Sequence, residues 1–213
     1  MRELYPGNDV LAKRETPSWN DKTREVVDAR LAVEEGAPRF FNSDEYDTLR
    51  ALCDSLCPQD PKRVPLAALV DEKMHLDRAD GYRLATMPGM RTAWRRGLAA
   101  LDASSRTLHD RRFHACPEKV RQEIIESMAK GELDESAWDG MSPRDFFQTR
   151  VLPDVVKSFY SHPAAWSDIG FGGPASPRGY VRMDFDERDP WEAAEAHPGD
   201  EERAMRENRR VGR

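Results

Sequence analysis

The strongest pattern of apolar and polar positions lies in MRTAWRRGLAALDASSRTLHD, where Met90, Ala93, Trp94, Gly97, Leu98, Leu101 and Leu108 recur at three- and four-residue spacing. This predicts a core helix. Gly97, between Trp94 and Leu101, costs about 1 kcal/mol against alanine in a helix interior, which points to close packing of another backbone there. In RFFNSDEYDTLRALCDSLCPQD, Ser43 is placed to cap a helix whose face carries Tyr46, Leu49, Leu52, Cys53, Leu56 and Cys57. Phe40 and Phe41 precede it as a hydrophobic staple, and Pro58 and Pro61 stop it.

Four further helices follow from weaker periods. One runs from about Asn20 to Glu35, capped by Asn20 or Asp21, with Val26, Val27, Ala29, Leu31 and Val33 as its apolar face and Gly36 closing it. Another runs from about Pro65 to Arg78, with Pro65 in the first turn and a stripe of Leu66, Leu69, Val70 and Leu76. Pro117 opens a third to about Lys130, with Val120, Ile124 and Met128 on one face and Gly131 as its stop. The last spans Ser142 to Tyr160 and must kink or split at Pro153, which removes an amide donor.

No alternating strand signal and no fixed repeat occurs along the chain. The expected fold is all-α: an irregular core of about five or six helices over residues 21–162, preceded by an extended arm over 1–20. After His162 the pattern changes to PAAWSDIGFGGPASPRGYVRMDF, rich in Gly and Pro with interleaved Trp166, Phe171 and Tyr180. Such a segment suits an extended strip over 163–183 that lies along a surface groove. The charge-dense tail, 184–213, reads as solvated or ordered by a partner.

Composition supports ordering against a partner. With 213 residues the chain has room for one full-sized core, yet only 38% is hydrophobic and 34% is charged, and mean hydropathy is -0.79. A net charge of -6 provides no basic field for nucleic acid. No stretch approaches the roughly 18 consecutive apolar residues of a membrane-spanning helix. Met1 to Asn20 lacks the apolar run of a secretory or twin-arginine signal. The sequence therefore suggests a cytoplasmic location, or a periplasmic one if a signal-bearing partner carries the chain out.

Candidate chemistry is sparse. Cys53 and Cys57 stand four apart in a helical pattern, where both suit a core as small hydrophobes. With Cys116 they leave open a disulfide, or a metal or iron-sulfur site, though paired CxxC spacing is lacking. His109, His114 and Cys116 are a second conceivable metal cluster. The string GFGGPASPRGY resembles a phosphate loop only in glycine content, since Pro174 and Pro177 remove amides and no helix follows. No HExxH or GxSxG motif occurs. A helical core without a catalytic constellation, plus low-hydrophobicity arms, is the profile of an interaction subunit. An unrelated helical adaptor has the same profile.

Three segments together resemble the gluconate 2-dehydrogenase subunit 3 family: RFFNSDEYDTLRALCDSLCPQD, AWRRGLAALDASSR and FYSHPAAWSDIGFGGPASPRGY, in family order from about Phe40 to Tyr180. The resemblance implies a non-catalytic small subunit that stabilises or matures a large catalytic chain of the glucose-methanol-choline oxidoreductase kind. That chain would hold FAD and oxidise a sugar hydroxyl, often passing electrons to a cytochrome c subunit. No cofactor is expected in the small subunit itself. On this reading Trp166, Phe171, Gly172, Gly173, Pro174, Pro177, Gly179 and Tyr180 form a partner-binding strip, with Gly170 also allowing close backbone approach. The alternative is that the strip packs on the chain's own helices.

Overall fold

In the computed structural model, residues 3–176, 179, 188–189 and 191–211 are described, and all regular structure among them is helical. The all-α expectation holds. The chain forms two compact units, Glu34–Phe159 and Met1–Val33 with Tyr160–Arg213. The second is built from both ends of the chain.

In the Glu34–Phe159 unit, the first long helix is α2 (Ser43–Leu56). Its cap is Asn42, not Ser43: the Asn42 side chain accepts from the Glu45 amide at 2.9 Å while the Glu45 carboxylate accepts from the Asn42 amide at 3.0 Å. The spacing of that reciprocal pair places the helix start one residue earlier than a serine cap would. Asp71, 2% exposed on α3 (Leu66–His75), then accepts the amides of Arg39, Phe40 and Phe41 at 2.7, 3.1 and 2.9 Å. Three amide donors compensate the buried carboxylate and hold Phe41 against the core.

The spine is α4 (Met90–His109), and the predicted face is buried through Leu101, whereas Leu108 stands 58% exposed beyond the end of the core. Trp94 meets Phe146 edge to face with ring centroids 5.6 Å apart, and Trp138 tilts onto the same Phe146 at 5.9 Å. Phe146 also explains Gly97. A β-carbon at Gly97 would fall within the Phe146 ring, so it is a side chain, not a second backbone, that demands glycine.

The next helix, α5 (Glu118–Lys130), follows the prediction closely, with Pro117 before it and Gly131 closing it at φ +77. A left-handed φ there favours glycine over any residue with a β-carbon. The predicted 142–160 helix is divided: α6 (Pro143–Phe146), a π-helical turn (Phe147–Val151) and α7 (Leu152–Ser161). Pro153 has no amide to offer the carbonyl four residues back, and the widened turn accommodates that loss without a break.

In the unit made from both ends, α1 (Asp21–Leu31) starts at the Asn20 cap, whose side chain accepts from the Thr23 amide at 2.9 Å. Of its expected face only Val27 is buried, at 1%, while Val26 is 42% exposed. The imperfect period leaves one core position where five were expected. The 1–20 segment is not simply extended, because a 3-10 helix forms over Val10–Lys13. Short helix α8 (Pro163–Trp166) and a 3-10 turn (Ser167–Ile169) begin the strip. The charged tail contains α9 (Glu201–Val211), with Ala204 fully buried and Asn208 3% exposed. Alanines 194, 196 and 204 make this contact, and small residues carry little weight in a search for large apolar side chains.

Candidate functional site

Trp166 is 3% exposed and shares a cluster with Val10, Trp19 and Val27. Its indole Nε1 donates to the Tyr160 carbonyl at 2.8 Å, Phe171 meets its ring at 90° and 5.5 Å, and the Arg30 guanidinium lies 5.9 Å from the ring centroid. Trp166 is thus a core residue of its unit, placed by the sharp entry of α8 at Pro163.

Gly172 and Gly173 are also buried, whereas Phe171 and Pro174 are partly exposed. Gly173 sits at φ +79, and a β-carbon on it would come within 2.6 Å of Val10 Cγ1. On Gly172 it would touch the Trp191 ring at 3.0 Å. Close approach is what these glycines permit, and the neighbours are residues of this chain. Gly179 adopts φ +82 with open space around it. Pro177 and Tyr180 lie outside the described residues. Trp166, Phe171 and Gly173 thus pack against the chain's own N-terminal segment.

Sequence reasoning did not find the residues that hold the strip. Lys13, 2% exposed, sends its Nζ to the Gly172 and Trp191 carbonyls at 2.9 and 2.8 Å. Asn20 Nδ2 donates to Ser176 Oγ at 3.0 Å. A lysine in a polar arm reads as solvated, and nothing in its local sequence distinguishes Lys13.

In the Glu34–Phe159 unit a second site lies at the π-helical turn. A cleft of about 300 Å³ is lined by residues that include Asp80, Tyr82, Arg83, Arg150, Pro153 and Lys157. Arg150 is 5% exposed; its Nη2 donates to the Tyr82 carbonyl at 3.2 Å, and its Nε has no acceptor. Beside it, Lys73 bridges the fully buried Asp154 at 2.6 Å and Asp80 at 3.0 Å, and Lys157 reaches Asp80 at 3.3 Å. Burial opposes the Lys73 charge, yet the hydrogen bonds it donates to Asp154 and Asp80 prevail and raise its pKa above the ordinary value. For Asp80, burial is likewise outweighed by the two lysines, and its pKa is lowered. The only sequence signal for this site was Pro153 within a helical pattern.

The proposed metal sets do not assemble. Cys53, Cys57 and Cys116 are free thiols, and among the described residues no three of His, Cys, Asp and Glu stand where they could share a metal ion. Cys53 is 1% exposed in the core, and Cys116 lies 3.3 Å from Ser105 Oγ. Burial pushes the Cys53 thiol well up, with nearby acids adding to the effect.

The model of the gluconate 2-dehydrogenase subunit 3 family matches residues 43–173, from the first turn of α2 to the buried Gly173. The chain belongs to that family. Its name denotes an accessory component of a dehydrogenase, and the match includes all of α2 to α8. Searches of curated proteins and of solved structures return no match. No described helix is long and apolar enough to cross a membrane.

Proposed function

We propose that this chain is the small, non-catalytic subunit that binds, stabilises and matures the FAD-holding catalytic subunit of a sugar or polyol dehydrogenase. The observation that carries the reading is the family match over 43–173. Two physical features agree with it. The chain is polar for its length, with a mean hydropathy of -0.79. It also exposes large apolar side chains, among them Tyr82 at 76% and Leu152 at 43%. A large partner surface would cover such groups. The partner is of the glucose-methanol-choline kind, and a cytochrome c subunit accepts its electrons. Flavin chemistry and substrate choice then reside in the partner, while this chain contributes shape and stability to it.

Co-expression of this chain with a catalytic flavoprotein subunit of the glucose-methanol-choline kind, followed by affinity purification and a dye-linked assay on a sugar panel, tests the reading. Copurification, with flavoprotein that is soluble and active only when this chain is present, is the expected result. A flavoprotein that neither binds this chain nor depends on it would overturn the proposal.

A further inference from the structure

The cleft at the π-helical turn holds a buried cation that has no counter-ion among the described residues. Arg150 is 5% exposed, its Nε lacks an acceptor, and among the described residues no carboxylate lies within ion-pair distance of it. A guanidinium in that position has lost most of its hydration and gained one carbonyl in return. The surrounding charges do not correct the imbalance. Asp80 lines the same cleft, but Lys73 and Lys157 already claim it. Arg83, exposed and lining the cleft, adds another cation, its Nη1 donating to the Met87 carbonyl. The cleft is therefore a positive pocket with an open volume of about 300 Å³, the low end of what small-molecule sites occupy and ample for one carboxylate side chain.

Its surroundings favour a protein-borne carboxylate. Tyr82, one of the lining residues, is 76% exposed. On α7, Pro153 and Lys157 line the cleft, and their immediate neighbours Leu152 and Val156 are 43% and 42% exposed. A desolvated arginine beside exposed aromatic and aliphatic groups is the composition of a binding hot spot rather than of a solvated surface.

We infer that an acidic side chain of the catalytic partner subunit enters this cleft and pairs with Arg150, with Tyr82 closing over the contact and Leu152 and Val156 exposed to the partner on the adjoining face of α7. This rests on the accessory-subunit reading above. The carboxylate supplies the missing charge, and the fork of the guanidinium is suited to accept it.

The test uses the full chain and its flavoprotein, with the dissociation constant measured for wild type, Arg150→Met and Arg83→Glu. Arg150→Met is expected to weaken the complex about thirtyfold, with a melting temperature of the isolated chain that is unchanged or raised. Arg83→Glu should weaken it less, and acetate should weaken the wild-type complex more than chloride at equal ionic strength. Wild-type affinity in Arg150→Met would overturn the inference and leave the accessory role intact, whereas a wild-type chain that does not bind the flavoprotein overturns both. If acetate raises the melting temperature of isolated wild type but not of Arg150→Met, and the complex is indifferent to both variants, the site serves a free carboxylate and the inference is overturned. Should Arg150→Met fail to fold, Arg83→Glu decides, and undiminished affinity in it counts against the inference.

Discussion

The indole of Trp94 and the carboxylate of Asp154 are joined at 2.7 Å, Nε1 donating to Oδ2, in the interior of the helical unit. The second oxygen of Asp154 takes the Lys73 ammonium at 2.6 Å. One fully buried acid thus ties α7 to both α3 and α4.

Asp154→Asn leaves Trp94 an oxygen to bond but deprives Lys73 of the nearer and more deeply buried of its two charge partners. Removing one member of a buried pair costs about 3 kcal/mol. Urea unfolding should show a lower midpoint at unchanged slope. Because the two residues are in contact, adding Lys73→Met to Asp154→Asn should recover part of the loss.

The same network gives a pH dependence. The pKa of Lys73 lies above its ordinary 10.5 in the folded chain: burial acts to lower it, and the hydrogen bonds that Lys73 donates to Asp154 and Asp80 outweigh burial. Its contribution is whole below 10.5 and is lost as pH rises through the folded value. Asp80, lowered from 3.8 because Lys73 and Lys157 outweigh burial, contributes fully above 3.8 and loses that contribution as pH falls through its folded value. Stability measured against pH should therefore decline at both extremes, and Lys73→Met should flatten the alkaline limb.

Gly97→Ala should destabilise the chain, although alanine is the better helix former by about 1 kcal/mol. The added methyl meets the Phe146 ring, and overpacking of this kind costs about 3 kcal/mol. Phe146→Leu combined with Gly97→Ala should melt higher than Gly97→Ala alone, since the ring atoms in the way are removed.

Lys13→Met removes the donors that Gly172 and Trp191 carbonyls use. Loss of a buried charge-assisted hydrogen bond of this kind costs about 2 kcal/mol. Limited proteolysis should cut the variant near the N-terminal segment or the strip at protease levels that leave wild type intact.

Thiol labelling should rank the cysteines by access. Cys57 is partly exposed while Cys53 and Cys116 are buried, so one thiol should react in the native chain and all three in denaturant. Burial raises the Cys57 pKa, with Arg63 opposing, so even this reaction should speed up only toward alkaline pH. Equal native rates for all three would contradict the burial described.

Much of the helical unit was legible in the chain because its signals are local. Periodicity marks the buried face of α4, and Pro117 with Gly131 brackets α5, since a missing amide and a left-handed turn act within a few residues. The family, too, could be recognised from three ordered segments, and the match over 43–173 bears it out. Where the reading slipped, local signals were weak or competing: Ser43 against Asn42 as cap, and a five-residue face on α1 that buries only Val27.

Other features depended on residues far apart in sequence. Trp166 could serve a surface or a core until Val10, Trp19 and Val27 were brought around it. Lys13 became a structural donor only when carbonyls 159 and 178 positions away reached it. Arg150 became a buried cation with no counter-ion among the described residues only after the π-helical turn and the 80–84 segment closed on it. Amphipathic period, caps and breakers follow from backbone geometry within a turn or two, so the sequence by itself determined the helices between residues 21 and 161 and their order, while α8 and α9 escaped it. Burial and charge compensation are sums over neighbours from distant segments, and those only the tertiary structure decided.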